Sequence, residues 1–276
     1  MNTNLRAVLI GEFSWRRFIR SLILIPICVT FGLLVIAVFF SEWAIFQPQA
    51  ASYKDTPDII KLKTKGGDQV SARFQENPQA TLTILLSHGN AEDIGVVEPY
   101  TWRLRDLGFN VLTYDYQGYG TSNGSPSEEK AYAAIDAAYE YLLTEKLIEP
   151  KRIILHGRSL GGAVAVDLAA RKPVAGLILE STFTSAFRVV TRYPLLPFDK
   201  FESIKKIGSV SCPVLIIHGT DDWAVPIYHS ERLFEAANEP KRSFWVEGAG
   251  HNNVERIDER AYADVIKSFA QTTSAQ

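Results

Sequence analysis

From Ile59 to its end the chain alternates short, uninterrupted apolar runs with helical patterns, and that alternation leaves few folds open. The run "LTILLSHG" is apolar at consecutive positions and stops at a glycine, as a strand buried on both faces does. "FNVLTYD", "RIILHG", "AGLILES", "PVLIIHG" and "RSFWVEG" read as further strands. Helices are expected around 100–107, over "EEKAYAAIDAAYEYLLTEKL" and "LGGAVAVDLAARK", from about 227 to 237 and from about 258 to 270. Ser127 suits the start of the second of these, with Glu128 and Glu129 complementing the helix dipole. "IIKLKT" and "QVSARFQ" form a hairpin with Gly66 and Gly67 at its turn. A hairpin followed by repeated strand–helix units predicts an α/β fold, with a mostly parallel central sheet and helices on both faces.

A second constraint lies upstream. "SLILIPICVTFGLLVIAVFF", residues 21–40, carries no charge and is about as long as a helix must be to cross a bilayer core. Pro26 and Gly32 are compatible with a membrane helix. Arg6, Arg16, Arg17 and Arg20 precede the run, and the next basic residue is Lys54. That asymmetry places the N-terminus in the cytoplasm and the rest of the chain across the membrane. Trp15 and Trp43 stand where indole rings suit the headgroup region. A cleaved signal peptide would have a shorter apolar core and a small-residue cleavage site, for which "SEWAIFQ" is a poor match. A helix apolar on every side and fenced by arginines is also unlike a core helix. The expected organisation is a short cytoplasmic N-terminus over 1–20, a transmembrane helix over 21–41, a polar tether over 42–56 and the α/β domain over 57–276.

Composition narrows the partners. A net charge of −2 with interspersed signs offers no basic stripe for nucleic acid. Cys28 and Cys212 make no disulfide framework, and no Cys-x-x-Cys or His-Glu-x-x-His pattern suggests a metal, so neither metal nor cofactor is expected.

In a sheet of this kind ligands gather at the carboxyl ends of the strands. Gly157-Arg158-Ser159-Leu160-Gly161 follows the strand "RIIL" and opens a helix, the context of a nucleophile elbow. The alternative is a serine that merely fits a tight turn. A serine hydroxyl needs a base. His88, His156 and His218 each precede a glycine at a strand end and read as backbone-shaping. His229 reads as a solvated helix residue, which leaves His251 in "GAGHNN" as the base. The acid should fall between serine and histidine in chain order. Asp222 in "GTDDWAVP" is favoured, with Asp221 and Glu180 as rivals. The oxyanion donors are expected to be the backbone N–H of Leu160, after the nucleophile, and that of Asn90 in "HGNAED".

"LLSHGNAEDIG", "YDYQGYGTSNGSPSE", "GRSLGGAVA", "PVLIIHGTDDWAVP" and "WVEGAGHNN" occur in one order over nearly all of the chain after Ile59. In them the sequence resembles the α/β-hydrolase family, most nearly its membrane-anchored ABHD-type serine hydrolases, which include the eukaryotic protein depalmitoylases. The resemblance implies an α/β-hydrolase fold with Ser159, Asp222 and His251 at the triad positions and Asn90 and Leu160 at the oxyanion positions. Known depalmitoylases of this group reach membranes through lipidated N-terminal cysteines. This chain has an apolar span instead, so their protein substrates and cytosolic location are not carried over.

About 31 residues separate "AGLILES" from "PVLIIHG", too few for a large lid, so a small cap and an open site are expected. The apolar "VVTRYPLLPF", with Arg188 and Arg192, suits an acyl chain or a membrane surface, or else packs on the domain. The expected activity is hydrolysis of an ester or thioester bond of an acylated or lipid-like substrate. A serine peptidase, or an idle membrane-tethered binding protein of the same fold, are the alternatives.

Overall fold

A computed structural model describes residues 14–194 and 196–273. Arg6, one of the arginines read as setting orientation, and Leu195 of the apolar cap stretch lie outside the described residues. The chain divides into two compact units, one ending at Ala44 and the other beginning at Ile45.

Helix α1 (Trp15–Ile45), which belongs to the first unit up to its last residue, brackets the expected 21–41 span on both sides. Its 31 residues would extend about 46 Å, against roughly 30 Å of bilayer hydrocarbon. Leu22, Ile23, Leu24, Ile25, Ile27, Val29 and Phe31 are all exposed. By length and composition the helix can cross a membrane.

The second unit is built on an eight-stranded sheet in the order β1-β2-β4-β3-β5-β6-β7-β8. The strands are β1 (Ile59–Lys63), β2 (Gln69–Gln75), β3 (Thr83–Ser87), β4 (Asn110–Tyr114), β5 (Ile153–Arg158), β6 (Gly176–Glu180), β7 (Val214–Gly219) and β8 (Lys241–Val246). The hairpin partners β1 and β2 pair antiparallel, β2 joins β4 antiparallel, and every later pairing is parallel. The main helices are α2 (Glu98–Asp106), α3 (Glu128–Thr144), α4 (Leu160–Arg171), α5 (Tyr228–Ala236) and α6 (Glu259–Thr273). Ser127 caps α3, its hydroxyl accepting the Lys130 N–H at 3.2 Å.

Alternation along the central strands sorts the core into two layers. Leu85 and Leu155 face one side, with Ile135 and Leu142 of α3 and Val164 and Leu168 of α4. Ile84, Leu86 and Ile154 face the other, with Leu104 of α2 and Ile266 and Phe269 of α6. Both faces being covered explains why these strands are apolar at successive residues. This is the α/β-hydrolase fold, and it sets the ends of β3, β5, β6, β7 and β8 side by side.

Two local expectations are corrected. The tether expected over 42–56 is helical as far as Ile45 and is packed within the second unit beyond it. Phe46 is buried against Tyr119 and Phe201, and Ser52 and Tyr53 are hydrogen-bonded to Asp93 and Asp115. His229 is not solvated but fully buried on the inner face of α5, its Nδ1 3.0 Å from Thr184 Oγ1. Burial, with help from the neighbouring His218 and Arg232, pulls its pKa down to about 4, so it is neutral at physiological pH.

Candidate active site

Strand β5 ends at Arg158 and α4 begins at Leu160, so Ser159 alone makes the turn between them. Its backbone sits at φ 50°, ψ −117°, in the left-handed half of φ space that side chains disfavour. Such strain survives where the surroundings over-determine it. The Ser159 N–H donates to the Glu180 carbonyl at 2.9 Å, and the Ser159 carbonyl accepts from Thr182 Oγ1 at 2.7 Å. Space is equally tight: a Cβ at Gly157 would meet the backbone of Gly161 and Gly162, and one at Gly161 the Ser87 carbonyl. Nothing local in the sequence marks Thr182 for its part in this turn.

The structure brings Ser159 to His251 and His251 to Asp222. His251 Nε2 lies 3.0 Å from Ser159 Oγ, and Nδ1 lies 2.7 Å from Asp222 Oδ2. The other Asp222 oxygen accepts the N–H groups of Ala224 at 3.0 Å and Val225 at 2.8 Å, so the carboxylate cannot rotate freely. Burial alone would raise its pKa. The hydrogen-bonding contacts of His218, His251 and the Val225 N–H outweigh that and hold it well below the ordinary carboxylate range. An imidazole between a hydroxyl and a fixed carboxylate is placed to accept the hydroxyl proton and to be stabilised once charged.

A cavity of about 300 Å³ opens on this group, and Asn90, Glu92, Arg158, Ser181 and Asn252 line it with Ser159 and His251. Leu160 follows Ser159 as the first residue of α4. In the loop after β3, the Gly89 N–H donates to Glu92 Oε2 at 2.7 Å and the Ala91 N–H to Asn90 Oδ1 at 3.0 Å. The Asn90 amide thus lies between two occupied ones.

The rival acids are elsewhere engaged. Asp221 is exposed and its side chain accepts from Thr220 Oγ1, at 3.3 Å. Glu180 is sealed among Arg158 Nε at 3.1 Å, His156 Nε2 at 3.3 Å and the Tyr262 hydroxyl. Against the cost of burial, His156 and Arg158 bring its pKa down to about 2. The three histidines that precede a glycine do more than shape backbone. His88 lies 3.2 Å from Asp115, His156 3.3 Å from Glu180 and His218 3.2 Å from Asp222, and all three are fully buried. The recurring His-Gly at the ends of β3, β5 and β7 was the available signal for this pattern. Among the described residues no group of three His, Cys, Asp or Glu side chains is placed to hold a metal.

Residues 78–203 match the family described as serine aminopeptidase, S33. The α/β hydrolase domain-containing protein 17B of Xenopus tropicalis is 39% identical over 241 residues, covering 83% of this chain and 82% of the relative. The human 17B protein is 38% identical over 241 residues, with the same coverage of 83% and 82%. Among solved structures, an esterase of Pyrococcus furiosus superposes with a TM-score of 0.71 at 18% identity, covering 82% of this chain and 98% of that one. Est1E of Butyrivibrio proteoclasticus, solved with ferulic acid, gives 0.64 at 20% identity and covers 79% of this chain and 100% of its own. At such identities the structures speak for the fold.

Proposed function

This chain belongs to the α/β-hydrolase family, among relatives of the domain-containing protein 17 type, and on that footing we propose that it is a membrane-anchored serine hydrolase of carboxylic ester or thioester bonds in an acylated or lipid-like substrate. The observation that carries the reading is the single imidazole of His251 reaching Asp222 with one nitrogen and Ser159 with the other. In the first half-reaction His251 Nε2 takes the proton of Ser159 Oγ as the oxygen attacks the substrate carbonyl. The oxyanion accepts hydrogen bonds from the backbone N–H of Leu160 and of Asn90. Collapse of the tetrahedral adduct expels the alcohol or thiol, which receives the proton from His251, and leaves the acyl group on Ser159. Water, deprotonated by His251, then attacks the acyl carbonyl, and as the acyl–Ser159 bond breaks to release the acid, His251 returns the proton to Ser159 Oγ. Asp222 remains ionised throughout and holds the ring.

A peptidase reading has the family description on its side. A substrate amino terminus would need a carboxylate free to receive it. Glu92, which lines the cavity, is already engaged by the Gly89 N–H and by Arg158 at 3.4 Å. Ester hydrolysis is favoured for that reason.

The test uses the full chain in detergent micelles. Ser159→Ala is expected to abolish labelling by a fluorophosphonate probe and to reduce turnover of a nitrophenyl ester to background, while aminoacyl amides are poor substrates of the wild type. Turnover unchanged by the substitution would sink the nucleophile assignment. For location, Arg16, Arg17 and Arg20 at the start of α1 support a cytoplasmic N-terminus with the hydrolase domain on the extracytoplasmic side. In sealed, right-side-out vesicles, external protease should then reach residues 57–276, and full protection would reverse the assignment.

A further inference from the structure

The segment that follows α1 is wired into the loop that carries Asn90, at both ends of that loop. At the near end, the Asn90 side-chain amide donates to the Ile45 carbonyl at 2.5 Å, and its Oδ1 accepts the Gln47 N–H at 3.0 Å and the Tyr119 hydroxyl at 2.6 Å. Phe46, between those two backbone contacts, is buried with its ring centroid 6.4 Å from Tyr119 and 5.8 Å from Phe201. At the far end, Asp93 accepts the N–H and the hydroxyl of Ser52 while also accepting the N–H groups of Gly95 and Val96. The Tyr53 hydroxyl donates to Asp115, whose other oxygen accepts the Ile94 N–H at 2.9 Å.

Between these ends the loop is held in an unfavourable shape. Ala91 has φ 58°, a conformation that a non-glycine residue keeps only when its surroundings impose it. The surroundings here include backbone atoms some 40 residues upstream. Burial, then the neighbouring Asp115 charge, pushes the Tyr53 pKa up to about 12, so its hydroxyl stays a donor at physiological pH.

We infer that residues 45–53 form a strap that positions the oxyanion loop, with Phe46, Tyr53 and the Asn90 side chain as positioning residues for the reaction at Ser159. The inference rests on the reading of Asn90 given above. An oxyanion donor acts through its placement against charge that develops in the transition state, and small displacements of such groups have large rate effects. Loosening the strap should therefore lower kcat and leave KM nearly alone. The strap begins at the last residue of the apolar helix, so the geometry of the reaction centre is set by the residues that leave that helix.

The experiment compares the full chain with its Tyr53→Phe, Asn90→Ala, Phe46→Ala and Phe46→Leu variants. It reads kcat and KM on a nitrophenyl ester and amide hydrogen exchange resolved by segment. Tyr53→Phe, Asn90→Ala and Phe46→Ala are expected to lower kcat ~10-fold or more with KM within ~2-fold, since deleting a donor outright costs about 10²–10³. Exchange should speed up in 88–95 while β3 and α4 keep their protection, and Phe46→Leu should restore most of kcat. Wild-type kcat with wild-type exchange in these variants would overturn the strap, as would faster exchange spread over the whole domain. If the wild type turns over no ester, or Ser159→Ala turns it over equally well, the functional reading fails while exchange in 88–95 still decides whether the strap holds the loop.

Discussion

Two carboxylates stand at the ends of neighbouring parallel strands, Glu180 at the end of β6 and Asp222 just past β7, and each meets an imidazole. Around Glu180 every direction is filled. His156 is fully buried, Arg158 supplies a permanent positive charge, and Tyr262 donates from α6. Around Asp222 the carboxylate is equally fixed, with the buried His218 at 3.2 Å, but its other imidazole is not sealed. The His251 side chain is 16% exposed and turns its second nitrogen to Ser159 at the cavity wall. The same pair of groups serves as a brace where both ends are occupied. It becomes candidate reaction machinery where one end is left to a hydroxyl and a cavity.

The sharpest way to break this comparison is to neutralise Asp222. In Asp222→Asn, the Asn side-chain oxygen can keep the Ala224 and Val225 N–H contacts, which turns its NH₂ toward His251 Nδ1. That forces Nδ1 to accept and puts the ring proton on Nε2, where it faces Ser159 and blocks proton removal. We expect kcat to fall by roughly 10³–10⁴, as loss of the orienting acid does in such constellations, with the fold intact by circular dichroism. A fall of less than tenfold would mean that Asp222 braces the loop, as Glu180 braces its own surroundings.

How far the sequence revealed these two sites follows from the range of their interactions. The sheet was readable because burial on both faces leaves an uninterrupted apolar run in each strand, as in β3 and β5. The residues around Ser159 were readable because the fold delivers them at successive strand ends in a fixed chain order. The Glu180 brace was not, since Tyr262 lies 82 residues away and no local pattern announces it. The segment 45–56 misled for the same reason. Its polar, aperiodic residues look solvated until Asp93 and Asp115, 41 and 62 residues on, are placed beside Ser52 and Tyr53. His229 misled because a short helix with mixed residues does not declare which face turns inward.

Neutralising the other carboxylate should give a smaller effect of a different kind. Glu180→Gln leaves the Arg158 guanidinium buried beside an amide, and breaking a buried pair from one side costs about 3–5 kcal/mol. For a domain of this size that is a loss of ~10 °C in thermal midpoint at neutral pH. Turnover at 25 °C should stay within about tenfold of the wild type, because the Ser159 N–H donates to the Glu180 backbone carbonyl, which the substitution keeps.

The gap between wild type and Glu180→Gln should in turn depend on pH with a definite sign. Glu180 falls from an ordinary 4.5 to about 2 in the folded chain. A depressed carboxylate binds fewer protons folded than unfolded, so its stabilisation is fully present above about pH 4.5 and is lost as pH falls through about 2. The shift corresponds to on the order of 3 kcal/mol, of which roughly half should be gone near pH 3. Thermal melts of the two proteins should therefore run a constant distance apart from pH 7 to 5 and converge below that. The Gln variant has no such titration, so convergence isolates Glu180 from the other acids that both proteins share. A gap that stayed constant down to pH 3 would show that Glu180 is not held ionised by Arg158 and His156. The two strand-end carboxylates would then differ in their charge state as well as in what their imidazoles face.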